Sequence, residues 1–390
     1  MIFIVLLLFL ITGCSDMDLP ELPDNESVID DAVVLDLDIA ETDDDGISED
    51  LIVATVGGYD VPFSGRVYFS VSGAMDDLIP VKSPAMGSAE GSDLALSVWD
   101  KGFFVIGRYD SSRLYFFKDD GAGGFDPEEL DLSGGKVLNL QDGVYNPLRD
   151  EFIVSALNSS SLIIIKDGEI TELKISENEN ASPAKMRIIG GKLYVAMQNL
   201  DEKWRSQAGQ VAVVGLDDHD VSIIDLPVMN PVGKIEYNGS VDPDHFYIAC
   251  AGGWQKRDGA ILRVDLETGG SQIILSESGE EGSLLDGDMV DVSLAGNGDL
   301  YLVFSNNSDR WTNRLLKYET LKGRVSMVDS GLNAFAANPV EYSAGSKKIY
   351  YFADEGPDTY LKSIDTVSGE KGGLLLKEGP AAVKVRVEYE

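Results

Sequence analysis

The chain has 390 residues, a formal net charge of −36 and a hydrophobic fraction of 44%. That apolar content is enough to build a packed core, which excludes a disordered chain, and the acidity repels phosphate backbones and anionic lipid surfaces, which excludes nucleic-acid binding as a main activity. High solubility accounts for the charge; adaptation to a salty medium and cation binding by clustered carboxylates are the other readings.

Ile2 to Ile11 is an unbroken apolar run with the length of a signal-peptide core, too short to cross a bilayer as a stable helix. The sequence Leu10-Ile11-Thr12-Gly13-Cys14 resembles the lipobox of bacterial lipoproteins. The resemblance implies cleavage before Cys14, diacylglycerol on its sulfur, and a chain anchored in the bacterial cell envelope by lipid alone. In such families the residue after the cysteine influences sorting, and Ser15 resembles the outer-membrane choice. No Lys or Arg precedes the apolar run, which departs from the pattern. A disposable secretory signal with an incidental cysteine is the alternative.

Ser15 to Asp31 is acidic, contains Pro20 and Pro23 and has no periodicity, so it reads as an extended tether. The expected division is a signal peptide over 1–13, a tether over 14–32 and a folded domain over 33–390. Glu41 to Asp50, ETDDDGISED, alternates oxygen-bearing side chains around a glycine and resembles the calcium loops of thrombospondin type 3 repeats. Asp43 and Asp45 are the candidate ligands and calcium the candidate ion, since a hard cation takes oxygen donors at such spacing. Glu41 stands where the first Asp belongs and no second copy follows, so a solvated acidic turn is the other reading. An EF-hand fits worse, because Ile52 occupies the place of its bidentate Glu.

From Leu51 onward one strand signal recurs: LIVATV at Leu51, FFVIG at Phe103, EFIVSAL at Glu151, KLYVAM at Lys192, HFYIACA at His245, DLYLVF at Asp299 and KIYYFA at Lys348. The copies start about 41 to 54 residues apart, the spacing of four-stranded propeller blades. Gly191 to Leu226 is the clearest unit, with strands at Lys192–Met197, Gln210–Gly215 and Val221–Leu226. Third strands follow each copy, as in LIIIKDG from Leu162, and weaker fourth strands such as SQIILS from Ser271 form outer edges. No stretch has a sustained helical period. The expectation is an all-β chain forming a single β-propeller of about seven four-stranded blades, with AAVKVRVEY from Ala381 closing the ring against the first blade. A parallel β-helix is the runner-up. KLYVAMQNL with GQVAVVGL, and HFYIACAGG with AILRVDLETG, resemble the units of YVTN-type, WD40-like propeller lipoproteins and cell-surface proteins. Propellers of this kind include binding scaffolds, lactone-hydrolysing enzymes and quinone dehydrogenases, so the resemblance implies architecture and leaves the activity open.

In such a blade the connection from the previous blade and the loop between second and third strands emerge on one face. Three of those loops set a Trp beside basic residues: Trp204 with Arg205, Trp254 with Arg257, and Arg310 with Trp311. A fourth carries Arg108 and Tyr109. Trp and Arg concentrate binding energy at interfaces and stack on sugar or aromatic rings, so this face is the candidate site for an anionic or glycan-like ligand or a protein partner. The competing reading is that each Trp packs over a neighbouring blade with Arg stacked on it. Asn146-Pro147, Asn230-Pro231 and Asn338-Pro339 read as turns leading into inner strands. Cys250 lies in an apolar strand and reads as a buried thiol with no disulfide partner in Cys14. His219 and His245, the two histidines, fall in turns expected on the opposite face, so a histidine triad or zinc site has little material. The sequence therefore points to a lipid-anchored binding or scaffold propeller. A metal-assisted lactone or ester hydrolase at the channel mouth is the alternative, and a purely structural envelope protein a third reading.

Overall fold

The computed structural model describes residues 26–28, 49–56, 65–86, 94–108, 111–132, 139–157, 159–253, 256–278, 283–305, 313–332, 338–355, 358–376 and 379–387. They form seven antiparallel sheets, the blades of a ring. Blade 1 pairs the C-terminal strand Gly379–Val387 with Glu49–Val56, Arg66–Ser70 and Ile79–Pro80. The next six follow in chain order, each starting with its inner strand: Leu94–Trp99 for blade 2, Leu140–Asn146 for blade 3 and Pro183–Ile189 for blade 4. Pro231–Glu236, Asp288–Leu294 and Val340–Ser343 begin blades 5, 6 and 7. The recurring apolar strands of the sequence are the second strands, for example Gly102–Gly107, Lys192–Met197 and Leu300–Ser305.

Their composition follows from their position. A second strand packs against a neighbouring blade on each face, so it is apolar throughout instead of alternating. Leu51, Ile52, Val53 and Ala54 are all fully buried, with Ile52 and Ala54 facing blade 2 and Leu51 and Val53 facing blade 7. Each of the seven junctions holds one apolar cluster. The junction of blades 1 and 2 is aromatic: Phe103 stacks on Phe117 at 4.7 Å and meets Phe125 edge-on at 4.9 Å. Fourth strands are outermost, and Val221–Leu226 keeps Val221 and Ile223 exposed.

Closure pairs the C-terminal strand with the second strand of blade 1, Glu49–Val56. Leu51 pairs with Val385 and Val53 with Val383, so the C-terminal strand supplies the inner strand of blade 1 and covers that edge of Glu49–Val56. Arg386 fastens this strand: its Nε donates to Asp50 Oδ2 at 2.6 Å and its Nη1 to Asp119 Oδ2 of blade 2 at 2.8 Å.

Two details differ from the sequence reading. Asn146 ends the inner strand of blade 3 and Pro147 lies in the turn to its second strand, on the face opposite the connections between blades. An Asn-Pro pair favours a turn at either end of a strand, so its chemistry could not choose the face. Asn230-Pro231 and Asn338-Pro339 do lead into inner strands. Within the acidic segment, Glu26–Val28 pairs with Arg324–Asp329 as a fifth strand on blade 6, ahead of the Val33 at which order was expected.

Candidate binding site

The loop after the second strand of blade 4 is built around one carboxylate. Asp201 Oδ1 accepts the backbone N–H groups of Lys203 at 2.8 Å and Arg205 at 2.9 Å. Its Oδ2 takes Arg205 Nη2 at 2.6 Å and Nε at 2.9 Å. The Arg205 side chain, with the backbone bonds beside it, holds the Asp201 carboxyl down to about 2, so the clamp is ionised across ordinary pH. Trp204 is left at the tip with φ of +62°, its N–H bonded to Asp201 O at 2.9 Å. A left-handed backbone at a bulky residue costs on the order of 1–3 kcal/mol and persists only where the surroundings enforce it. Trp204 is 59% exposed. Its indole is thus largely open to solvent, and the Arg205 side chain turns to Asp201.

Beside this tip lies a cavity of about 300 Å³ on the face where blades connect. Leu157, Leu200, Val232 and Ala251 supply apolar wall, while Gln198, Asn230 and Asp288 supply polar atoms, with Trp204 and Arg205 at the border. These residues come from blades 3 to 6, so only the assembled ring creates the space. Gly252 shapes one side with φ of +72°; a Cβ there would lie 2.2 Å from Asp258 Oδ1 and 2.7 Å from Gly259 N, so any side chain clashes.

Two further carboxylates, Glu277 and Asp258, lie near Asp288. Burial, reinforced by Asp258, pushes the Asp288 carboxyl up to about 6. Glu277 is 8% exposed; burial raises it to about 8 despite a bond from Met289 N–H to its Oε1 at 3.2 Å. Its Oε2 has no hydrogen-bond partner. At neutral pH Glu277 is mostly protonated, and the group carries less charge than its composition suggests.

The sequence candidates divide. Trp204 and Arg205 border the cavity. Arg257 pairs with Asp286 at 3.1 Å, and Arg108 stands at the mouth of the central channel, donating to Gln141 Oε1 at 3.0 Å. Trp254, Tyr109, Arg310, Trp311, Cys14, Asp43 and Asp45 lie outside the described residues. Asp288 and Glu277 were not foreseen, because they converge from consecutive blades and no spacing within one segment marks them. His219 bonds Glu151 at 2.8 Å and His245 bonds Asp242 at 2.8 Å, both on the face opposite the cavity. Cys250 is buried, and burial pushes its thiol well above the ordinary range. Among the described residues no three His, Cys, Asp or Glu side chains converge as a metal site.

No protein-family model matches the chain, and no curated protein matches it in sequence. Among solved structures it is similar to a 6-phosphogluconolactonase-like protein from Bacteroides uniformis, with a TM-score of 0.57 at 11% identity over 87% of this chain and 99% of the other. Virginiamycin B lyase from Staphylococcus aureus gives a TM-score of 0.51 at 12% identity over 73% and 85%. TolB from Acinetobacter baumannii gives 0.48 at 10% identity over 86% of this chain, which spans 66% of that protein. At these identities the likeness is one of fold, a β-propeller.

Proposed function

We propose that this protein is a binding module of the bacterial cell envelope, tethered by lipid on Cys14, whose ligand seats in the cavity beside Trp204. The observation that carries the reading is Trp204 itself, an indole 59% exposed and held in a left-handed turn at the border of the cavity. Exposing so large an apolar side chain has no folding benefit, and a residue held against its backbone preference marks a functional position.

The lining fits a glycan-like ligand. A sugar ring offers an apolar C–H face to an indole and a rim of hydroxyls to side chains such as Gln198, Asn230 and Asp288. Arg205 is committed to Asp201 and Arg257 to Asp286, so neither is free to meet an anion, and the net charge of −36 repels one. A neutral oligosaccharide is thus favoured over an acidic one. Calorimetric titration with neutral hexasaccharides (cellohexaose, maltohexaose, xylohexaose, chitohexaose) and with polygalacturonate oligomers tests this. Saturable binding of a neutral series is expected; binding of the acidic oligomer alone, or of none, overturns the glycan reading and leaves a protein partner to be sought for this face.

A further inference from the structure

The wall of the Trp204 cavity is acidic on the side of blades 5 and 6. Asp288, the first residue of the inner strand of blade 6, lines the cavity and is partly buried. Asp258, on the loop after the second strand of blade 5, spends Oδ1 on the N–H of Gly253 at 2.7 Å, and Gly253 belongs to the cavity wall. Glu277, which follows the outer strand of blade 5, is 8% exposed and has no hydrogen-bond partner at Oε2. Its carboxyl is close enough to Asp288 and Asp258 for both to raise it.

The basic side chains of this region have other commitments. Arg205 is clamped on Asp201, and Arg257 pairs with Asp286. Arg314 donates to the backbone carbonyls of Ser283 and Asp286. Lys256 is exposed and lies with its stem against Gly253. Burial and the like charge of Asp258 push the Asp288 carboxyl up to about 6, and among the described residues no cation counters them. Carboxylates brought together without a counter-cation repel one another, and a partly desolvated wall strengthens that repulsion. A ligand cation reverses the sign of the interaction. An ammonium group donates three hydrogen bonds to such oxygens, and the face of an indole attracts the same charge.

We infer that Asp288 makes the cavity selective for an amino sugar, a pyranose with a free ammonium group, which sets its charge against Asp288 and its ring against Trp204. The inference rests on the glycan reading of this cavity and narrows it. Gln198 and Asn230 suit the neutral hydroxyls of a ring, whereas Asp288 offers a charge that a hydroxyl leaves unanswered. At about 300 Å³ the cavity is at the small end of ligand pockets and takes one ring of a chain.

The intact protein is titrated by calorimetry at about pH 6.5, where Asp288 is more than half ionised and the sugar amine keeps much of its charge. Salt of about 0.15 M screens attraction to the distant acidic surface. The probes are glucosamine hexasaccharide, cellohexaose, which has hydroxyls in place of the amines, and spermidine, which has amines and no ring. The amino sugar should bind at least about tenfold more tightly than either of the others. Asp288→Asn should bring the two hexasaccharides to within about threefold of each other, and Asp288→Glu, which keeps the carboxylate, should retain the preference. The wild-type comparison stands on its own should a variant fail to fold. Equal affinity for the two hexasaccharides, or a preference that survives in Asp288→Asn, overturns the inference and leaves the glycan reading standing. Spermidine bound as tightly as the amino sugar also overturns it, since charge alone would then suffice. Binding of neither saccharide overturns both readings.

Discussion

Replacing Glu277 by Gln should stabilise the protein at neutral pH and remove part of its pH dependence. A glutamate in the unfolded chain releases its proton near 4.5, whereas burial holds Glu277 in the fold to about 8. Between those values the folded state binds a proton that the unfolded state does not, so the stability from this group is greatest below pH 4.5. It declines as pH rises and levels off above 8. The slope approaches about 1.4 kcal/mol per pH unit, which gives a loss of about 2 kcal/mol between pH 6 and 8. Gln keeps an oxygen for the Met289 N–H and adds a donor where Asp288 and Asp258 lie nearby. Urea unfolding of wild type and Glu277→Gln at pH 6, 7 and 8 reads the difference directly. The variant should gain about 2 kcal/mol on the wild type across that range, and parallel stability curves would refute the assignment of a protonated carboxyl behind the cavity.

Phe103→Ala removes the centre of the aromatic junction between blades 1 and 2, where Phe103 is fully buried against Phe117 and Phe125, and should cost about 3–5 kcal/mol by chemical denaturation. A loss under 1 kcal/mol would mean that the junction is not packed as described. Arg386→Ala leaves Asp50, 1% exposed, without its cation and should destabilise by about 3–5 kcal/mol. Hydrogen exchange should then open first along Gly379–Val387 and Glu49–Val56; uniform exchange would contradict the role of Arg386 in closing the ring.

The blades were legible because their second strands are buried on both faces, so that runs such as Leu51–Ala54 and Lys192–Met197 carry unbroken apolar stretches at a regular interval. The inner strands were harder to read. They carry buried charged residues such as Lys234, Asp291 and Glu341, and a strand interrupted by charges resembles a loop in sequence. Trp204 stood out because a Trp beside basic residues in an acidic chain is rare. Its companions did not, since Asp288, Asn230 and Leu157 belong to three other blades and meet it only once the ring has formed. Arg205 was legible as a charged neighbour of Trp204, but its function as the clamp on Asp201 depends on a turn geometry that composition does not specify.

The most direct test of the central claim compares wild type, Trp204→Ala and Trp204→Phe in calorimetric titration with the neutral hexasaccharide that binds best, alongside urea unfolding of all three. Trp204 is exposed, so Trp204→Ala should leave stability within about 0.5 kcal/mol. Binding should weaken at least tenfold in the Ala variant and recover in part in the Phe variant, which restores an aromatic face. Undiminished binding by Trp204→Ala, or a loss of several kcal/mol in its stability, would show that the indole serves the fold and not a ligand.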